Sequence, residues 1–129
     1  MNDLATTFRD YIACLNSQAW DRLGQFVHDD VRHNDRPLGI DGYRRMLEAD
    51  YEQIPDLCFQ IQMLVSDPGH VACRLRFDVT PAGRFLDLPV NGRKVTFCEN
   101  VFYAFREGKI QAVWSVIDKA AIEAQLGCS

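Results

Sequence analysis

The chain has 129 residues, eighteen of them acidic and fourteen basic, for a formal net charge of −4. With 47% hydrophobic and 25% charged residues it has the composition of an ordinary globular protein, which excludes a disordered or fibrous chain. The acidic balance argues against a nucleic-acid binder, and no apolar run approaches the ~18 residues a membrane span needs, so neither partner is expected.

The length fits a single domain over residues 1–129. Cys14, Cys58, Cys73, Cys98 and Cys128 are scattered, with no Cys-x-x-Cys pair, as reduced thiols would be. The first residues carry neither a basic start nor an apolar stretch, so no signal peptide is read there. A cytoplasmic protein is the expectation.

In chain order, the first half carries helical periodicity. Leu4, Phe8, Tyr11, Ile12 and Leu15 recur at three- and four-residue spacing and predict an apolar helical face. Asn16-Ser17 breaks it, and Trp20, Leu23, Phe26 and Val27 predict a second helix. Val31 to Asn34 reads as a short strand, and Arg36-Pro37-Leu38-Gly39 as a turn. Asp41 is the expected N-cap of a third helix carrying Tyr43, Met46, Leu47 and Tyr51, which Pro55 ends.

The period then changes to two. Phe59, Ile61, Met63 and Val65 form one apolar row, and Val71, Cys73, Leu75, Phe77 and Val79 another. Asp67-Pro68-Gly69 joins them as a turn, with Gly69 expected in the left-handed region. Residues 81–92 form a long covering loop. Two further strands flank the Glu107-Gly108 hairpin signal, and residues 119–126 form a last helix stopped by Gly127. Helices followed by a strand meander define an α+β fold: N-terminal helices on a strongly curved antiparallel sheet, a cone-shaped barrel with an internal pocket.

Period two puts Ile110, Ala112, Trp114, Val116 and Asp118 on one face, an apolar row closed by a carboxylate. A tight turn at Glu107-Gly108 would set Phe97 opposite Asp118 and bring Glu99 diagonally beside it. Burial among those rings would raise the Asp118 pKa and make it a proton acceptor. The alternative is that Asp118 caps the last helix. His33 shares a face with Val31 and so points inward, either to orient a carboxylate, donate to a developing oxyanion or act as an acid, or as a core histidine bonded to a backbone carbonyl. No third ligand accompanies His28 and His33, so no metal site is expected. Gln60, Gln62, Leu64, Ala72, Arg74 and Arg76 fall on the outer face, where a polar contact with a second subunit is expected.

Several blocks, taken in order, resemble one family. His33-Asn34, Gly39-Ile40-Asp41-Gly42-Tyr43, Ile54-Pro55-Asp56, Val71-Ala72-Cys73-Arg74, the segment Phe85 to Arg93, Gly108-Lys109-Ile110 and Trp114 to Asp118 are similar to the motifs of the SnoaL-like polyketide cyclases, or ester cyclases. The resemblance spans residues 8–127. It implies the cone fold of the ketosteroid isomerase and nuclear transport factor superfamily, as a homodimer or homotetramer. It also implies intramolecular aldol ring closure of a small, largely apolar, polyketide-like substrate without metal or organic cofactor. Asp118 then stands as general base and His33 as its assistant. Trp114, Tyr43, Phe77 and Phe97 would wall the substrate, with Glu99 and Asn34 as polar contacts. Thr80 is followed by Pro81 where the family's cyclases carry a histidine, and Asp87 replaces a usual glycine. A dehydratase or double-bond isomerase using Asp118 and His33, or a non-catalytic small-ligand module, are the alternative functions.

Overall fold

In the computed structural model, which describes residues 3–127, Asp3 opens the first helix, α1 (Leu4–Asn16), by accepting the Ala5 amide at 3.0 Å. Cys128 lies outside the described residues. The expected stripe of Leu4, Phe8, Tyr11, Ile12 and Leu15 is buried. Trp20–Gln25 winds as a 3-10 helix rather than an α-helix reaching Val27. The sheet claims the next backbone group, since the Ile110 amide donates to the Phe26 carbonyl at 2.8 Å. Strand β1 (Val27–His33) therefore begins earlier than Val31.

Helix α2 (Gly39–Gln53) starts ahead of the expected point: Asp41 lies in its first turn, and Leu38 is an N-cap without a side-chain bond. The left-handed φ of +67° at Gly39 turns the chain into the helix. The helix ends two residues before Pro55, as the ring requires.

The long strands are β2 (Gln60–Ser66) and β3 (His70–Val79), joined by a turn, then β6 (Val95–Arg106) and β7 (Lys109–Ile117). Between the pairs, residues 81–92 hold a small hairpin, β4 (Arg84–Phe85) and β5 (Leu88–Pro89), where an irregular loop was expected. Leu86 and Asp87, at φ +53° and +62°, make its two-residue turn. Glu107 and Gly108 do the same for β6–β7, at φ +55° and +77°. Gly69 is not left-handed. The Asp67 carboxylate shapes that turn instead, accepting the Gly69 amide at 2.8 Å.

The five-stranded sheet has the order β1-β7-β6-β3-β2, with β1 parallel to β7 and the other pairs antiparallel. It stays open, because β1 and β2 do not pair with each other. The N-terminal helices cover its inner face, and the core they make with it includes a Phe8–Tyr103 ring pair at 4.7 Å.

Two β-bulges decide which side chains face that core. Ile61 pairs with Leu75 but Met63 with Arg74, so Gln62 is an extra residue in β2. Ile110 pairs with Phe105 but Ala112 with Ala104, so Gln111 is an extra residue in β7. An extra residue shifts the alternation by one and exchanges the faces beyond it. Leu64 accordingly packs on the core, while Met63 and Val65 are about 60% exposed. In β7 the inner row becomes Val113, Ser115 and Ile117, and Trp114 and Val116 are 40% and 71% exposed. The apolar row expected to run inward from Ile110 to Asp118 is thus broken at Gln111.

Helix α3 (Lys119–Gln125) closes one end of the sheet and buries Ile122. It docks where β6 outruns its partner, since β7 ends opposite Glu99. There the Gln125 amide group accepts from the Thr96 N–H at 2.8 Å and donates to the Thr96 carbonyl, standing in for a neighbouring strand. Arg93 donates to the Gln125 and Leu126 carbonyls at 3.0 and 3.1 Å.

Candidate active site

A cavity of about 70 Å³ lies between α2, the β4–β5 hairpin and the inner face of β3, β6 and β7. Phe59, Phe77, Phe85 and Phe97 line it, with two carboxyl groups, Asp50 from α2 and Glu99 from β6. Phe77 and Phe97 are directly paired across β3 and β6, and their rings stack at 5.2 Å. Phe85 comes from the hairpin and packs on Phe97 at 5.6 Å, so residues 81–92 do cover the pocket. The backbone puts Asp50 there by helical geometry: Tyr43, Leu47, Asp50 and Ile54 succeed one another at three- and four-residue spacing.

Electrostatics sets these carboxyls apart from the surface ones. Burial pushes the Asp50 pKa up to about 6. Burial pushes Glu99 up to about 7, against the Ser115 hydroxyl that favours its charged form and with the negative charge of Asp50 opposing it. No basic side chain lines the cavity, so nothing there offsets a second negative charge. Above this pair the Tyr11 and Tyr43 hydroxyls share a 2.7 Å hydrogen bond, and both phenols are raised by burial.

Ser115 links the cavity to β1. Its Oγ lies 3.3 Å from His33 Nε2, and its backbone is held by Asn34, whose Oδ1 accepts the Ser115 amide at 2.9 Å. His33 points inward as expected and is half-buried; burial and the nearby Arg36 charge lower its pKa. Among the described residues, no three His, Cys, Asp or Glu side chains converge as metal ligands.

The residues expected to form the site divide sharply. Glu99, Phe77 and Phe97 line the cavity. Tyr43 is buried with its hydroxyl on Tyr11, and His33 reaches the cavity's edge through Ser115. Asn34 is exposed and binds backbone, so its contacts are those of a brace for β7. Trp114 is on the outer face, its indole N–H donating to Asp35 at 3.1 Å. Asp118 is exposed and caps α3, accepting the Ala121 amide at 3.1 Å. The bulge at Gln111 explains both corrections. It moves the register by one, so Glu99 meets Ile117 and not Val116. Asp50 and Ser115 were missed. An acidic residue inside the apolar stripe of α2 was the available signal for Asp50, whereas the facing of Ser115 depends on the bulge.

An open, curved sheet with helices over its inner face and a cavity between them is the cone fold of the nuclear transport factor-like class. The model of the SnoaL-like polyketide cyclase family matches residues 5–126. A SnoaL-like polyketide cyclase from Agrobacterium tumefaciens strain C58 is 56% identical, covering 98% of this chain and 100% of its own, with a TM-score of 0.97. IdmH from Streptomyces antibioticus is 20% identical, covering 98% of this chain and 100% of its own, with a TM-score of 0.83. TsrD from Streptomyces laurentii is 21% identical, covering 98% of each chain, with a TM-score of 0.83, and like IdmH it shares the fold. No protein of curated function matches the chain. The chain belongs to the SnoaL-like polyketide cyclase family.

Proposed function

We propose that the protein is a cyclase or isomerase acting on a small, largely apolar, enolisable substrate, with Asp50 and Glu99 as its acid–base pair and no cofactor. The observation that carries this reading is a cavity of phenyl rings holding two carboxyls whose pKa values burial has moved to about 6 and about 7. Near neutral pH such a pair holds one proton between two groups. Asp50, the stronger acid, is ionised and takes the proton from a carbon beside a carbonyl. Glu99, protonated, donates a hydrogen bond to the developing enolate oxygen and keeps its proton at this stage. In ring closure the enolate carbon then attacks a second carbonyl of the same molecule. The alkoxide so formed takes the Glu99 proton, and Asp50 passes the proton it took from carbon to Glu99 within the same cavity, which restores the pair. Asp118, capping a helix in solvent, is replaced in this reading as the base.

The test is exchange of the α-protons of a small enolisable ketone in D2O, followed by proton NMR. Asp50→Asn lowers the protein-catalysed rate by about 10²–10⁴, the usual contribution of a positioned base. Asp118→Asn leaves it unchanged. Full exchange by Asp50→Asn, or its loss in Asp118→Asn, would overturn the assignment.

We also propose that the molecule pairs with a second copy through its outer sheet face. Val65, Ala72, Phe102 and Trp114 lie side by side across four strands, with Met63, Arg74, Asn100 and Val116 in the next row. The face is thus more apolar than the polar contact the sequence suggested, because both bulges turn hydrophobic residues outward. Arg76 and Asp78 border it as an ion pair within the chain, at 3.3 Å. The cytoplasm would keep Cys14, Cys58, Cys73 and Cys98 as the thiols they are.

A further inference from the structure

We propose that the cavity binds a small alkylated ammonium ion, of the size of trimethylammonium, between Asp50 and Glu99, and that this ion blocks the acid–base pair. The binding site stands apart from the catalytic reading, and only the block rests on it. Asp50 enters the cavity from the helix layer and Glu99 from the sheet, and every other lining residue is apolar. No Lys, Arg or His lines it. The Asp50 carboxyl has neither a hydrogen bond nor an ion pair among the described residues. The lining thus offers negative charge and apolar surface, with no positive charge.

These walls choose among cations by hydration. A metal ion or ammonium itself holds its water tightly, and phenyl and aliphatic side chains cannot replace the water it would shed. An alkylated ammonium sheds little. Its methyl groups bury against Ile54, Leu57 and the phenyl rings, and its N–H donates to a carboxylate. Size sets the upper limit. A cavity of roughly 150 Å³ takes benzene, so one of about 70 Å³ takes on the order of three to five non-hydrogen atoms. Trimethylammonium falls within that range.

The charge in the cavity sets the pH range in which the ion binds. Burial puts the Asp50 and Glu99 pKa values at about 6 and about 7. The other titratable groups near them are Tyr43 from α2, Tyr11 from α1, Tyr103 from β6 and Cys73 from β3, all raised by burial and so neutral. Ser115 faces Glu99 from β7 as a neutral hydroxyl. Below pH 6 the pair is uncharged and does not attract the ion; as pH rises the ion meets one negative charge and then two. Affinity therefore falls about tenfold for each pH unit below 6. Linkage is reciprocal, so the bound ion moves both titrations to lower pH. It takes the substrate's place between the carboxyls and draws the proton off Glu99, which is the block.

The experiment follows the Asp and Glu carboxyl carbons by NMR against pH, with trimethylammonium chloride as the probe. Sodium chloride at equal ionic strength and the neutral tert-butanol, of similar size, are the comparisons. Trimethylammonium should bind at pH 8, move the Asp50 and Glu99 titrations to lower pH, and lose about tenfold or more in affinity by pH 5. Sodium should leave both titrations in place, and tert-butanol should bind no better at pH 8 than at pH 5. With Asp50→Asn and Glu99→Gln combined, the ion should no longer bind. Equal shifts with trimethylammonium and sodium, or ion binding that survives in the double variant, would overturn the site. Should the double variant not fold, the wild-type shifts decide the case. The block is read separately, as competition between trimethylammonium and the ketone for α-proton exchange at pH 7. Binding without inhibition overturns the block. Should Asp50→Asn keep full exchange, the catalytic reading falls and the titration shifts still decide the site.

Discussion

Asp50 and Glu99 must be accommodated among four phenylalanine rings, and above neutral pH the fold carries their charge there. Each has a pKa raised in the folded state, so the folded chain binds more protons than the unfolded one between the two values. The stability they permit is therefore fully present below about pH 4 and is lost as pH rises through about 6 for Asp50 and 7 for Glu99. Glu99→Gln and Asp50→Asn should each stabilise the protein by about 1–3 kcal/mol at pH 8, allowing for the part of each carboxyl open to solvent, and by little at pH 4.5. Melting curves at the two pH values check this. The same pair predicts a catalysed exchange rate that peaks between about pH 6 and 7, falling below as Asp50 protonates and above as Glu99 ionises. Asp118 belongs to a different regime. Asp118→Ala should cost about 1 kcal/mol through the lost helix cap, with no change in the exchange rate. Solvation separates the three carboxylates, and solvation depends on facing.

Facing is a property of strands, and two single residues set it. Deleting Gln111 would restore unbroken alternation in β7, turning Trp114 inward and Ser115 and Ile117 out. The expected result is loss of the cooperative unfolding transition by circular dichroism, since Trp114 would then be driven into a filled core. This is also where the sequence stops being legible. Helices α1, α2 and α3, the turn at Glu107-Gly108 and the α+β order can be read directly, because each depends on local spacing or local backbone preference. Phe77, Phe97 and Glu99 can be read too, since β6 pairs with β3 from Val95 to Ala104 without a break. A bulge is chosen by the partner strand and the curvature of the whole sheet. Nothing near Gln62 or Gln111 announces it, so every facing inferred beyond those residues inverts.

At the scale of the molecule the two bulges act together. They lie in strands on either side of the β3–β6 pair, and each sends two apolar residues to the outer face. Met63 and Val65 rise on one side, Trp114 and Val116 on the other, with Phe102, 62% exposed, between them. A patch of this kind on a monomer is unusual. Phe102→Asp should convert the assembled species to a monomer by light scattering at micromolar concentration. A wild-type protein that is already monomeric would count against the pairing. Because Phe102 pairs with Trp114 on the face opposite the cavity, the exchange rate per chain should not change.

The β4–β5 hairpin bears on kinetics. Phe85 lines the cavity from the end of a two-residue strand, and the space of about 70 Å³ holds only a few non-hydrogen atoms. If a ligand larger than this space is to fit, the hairpin must lift as it enters and again as it leaves. The rate of capture should then level off as ligand concentration rises, at a ceiling equal to the frequency of hairpin opening. Residence time would obey the same clock, so ligands of different affinity could depart at similar rates.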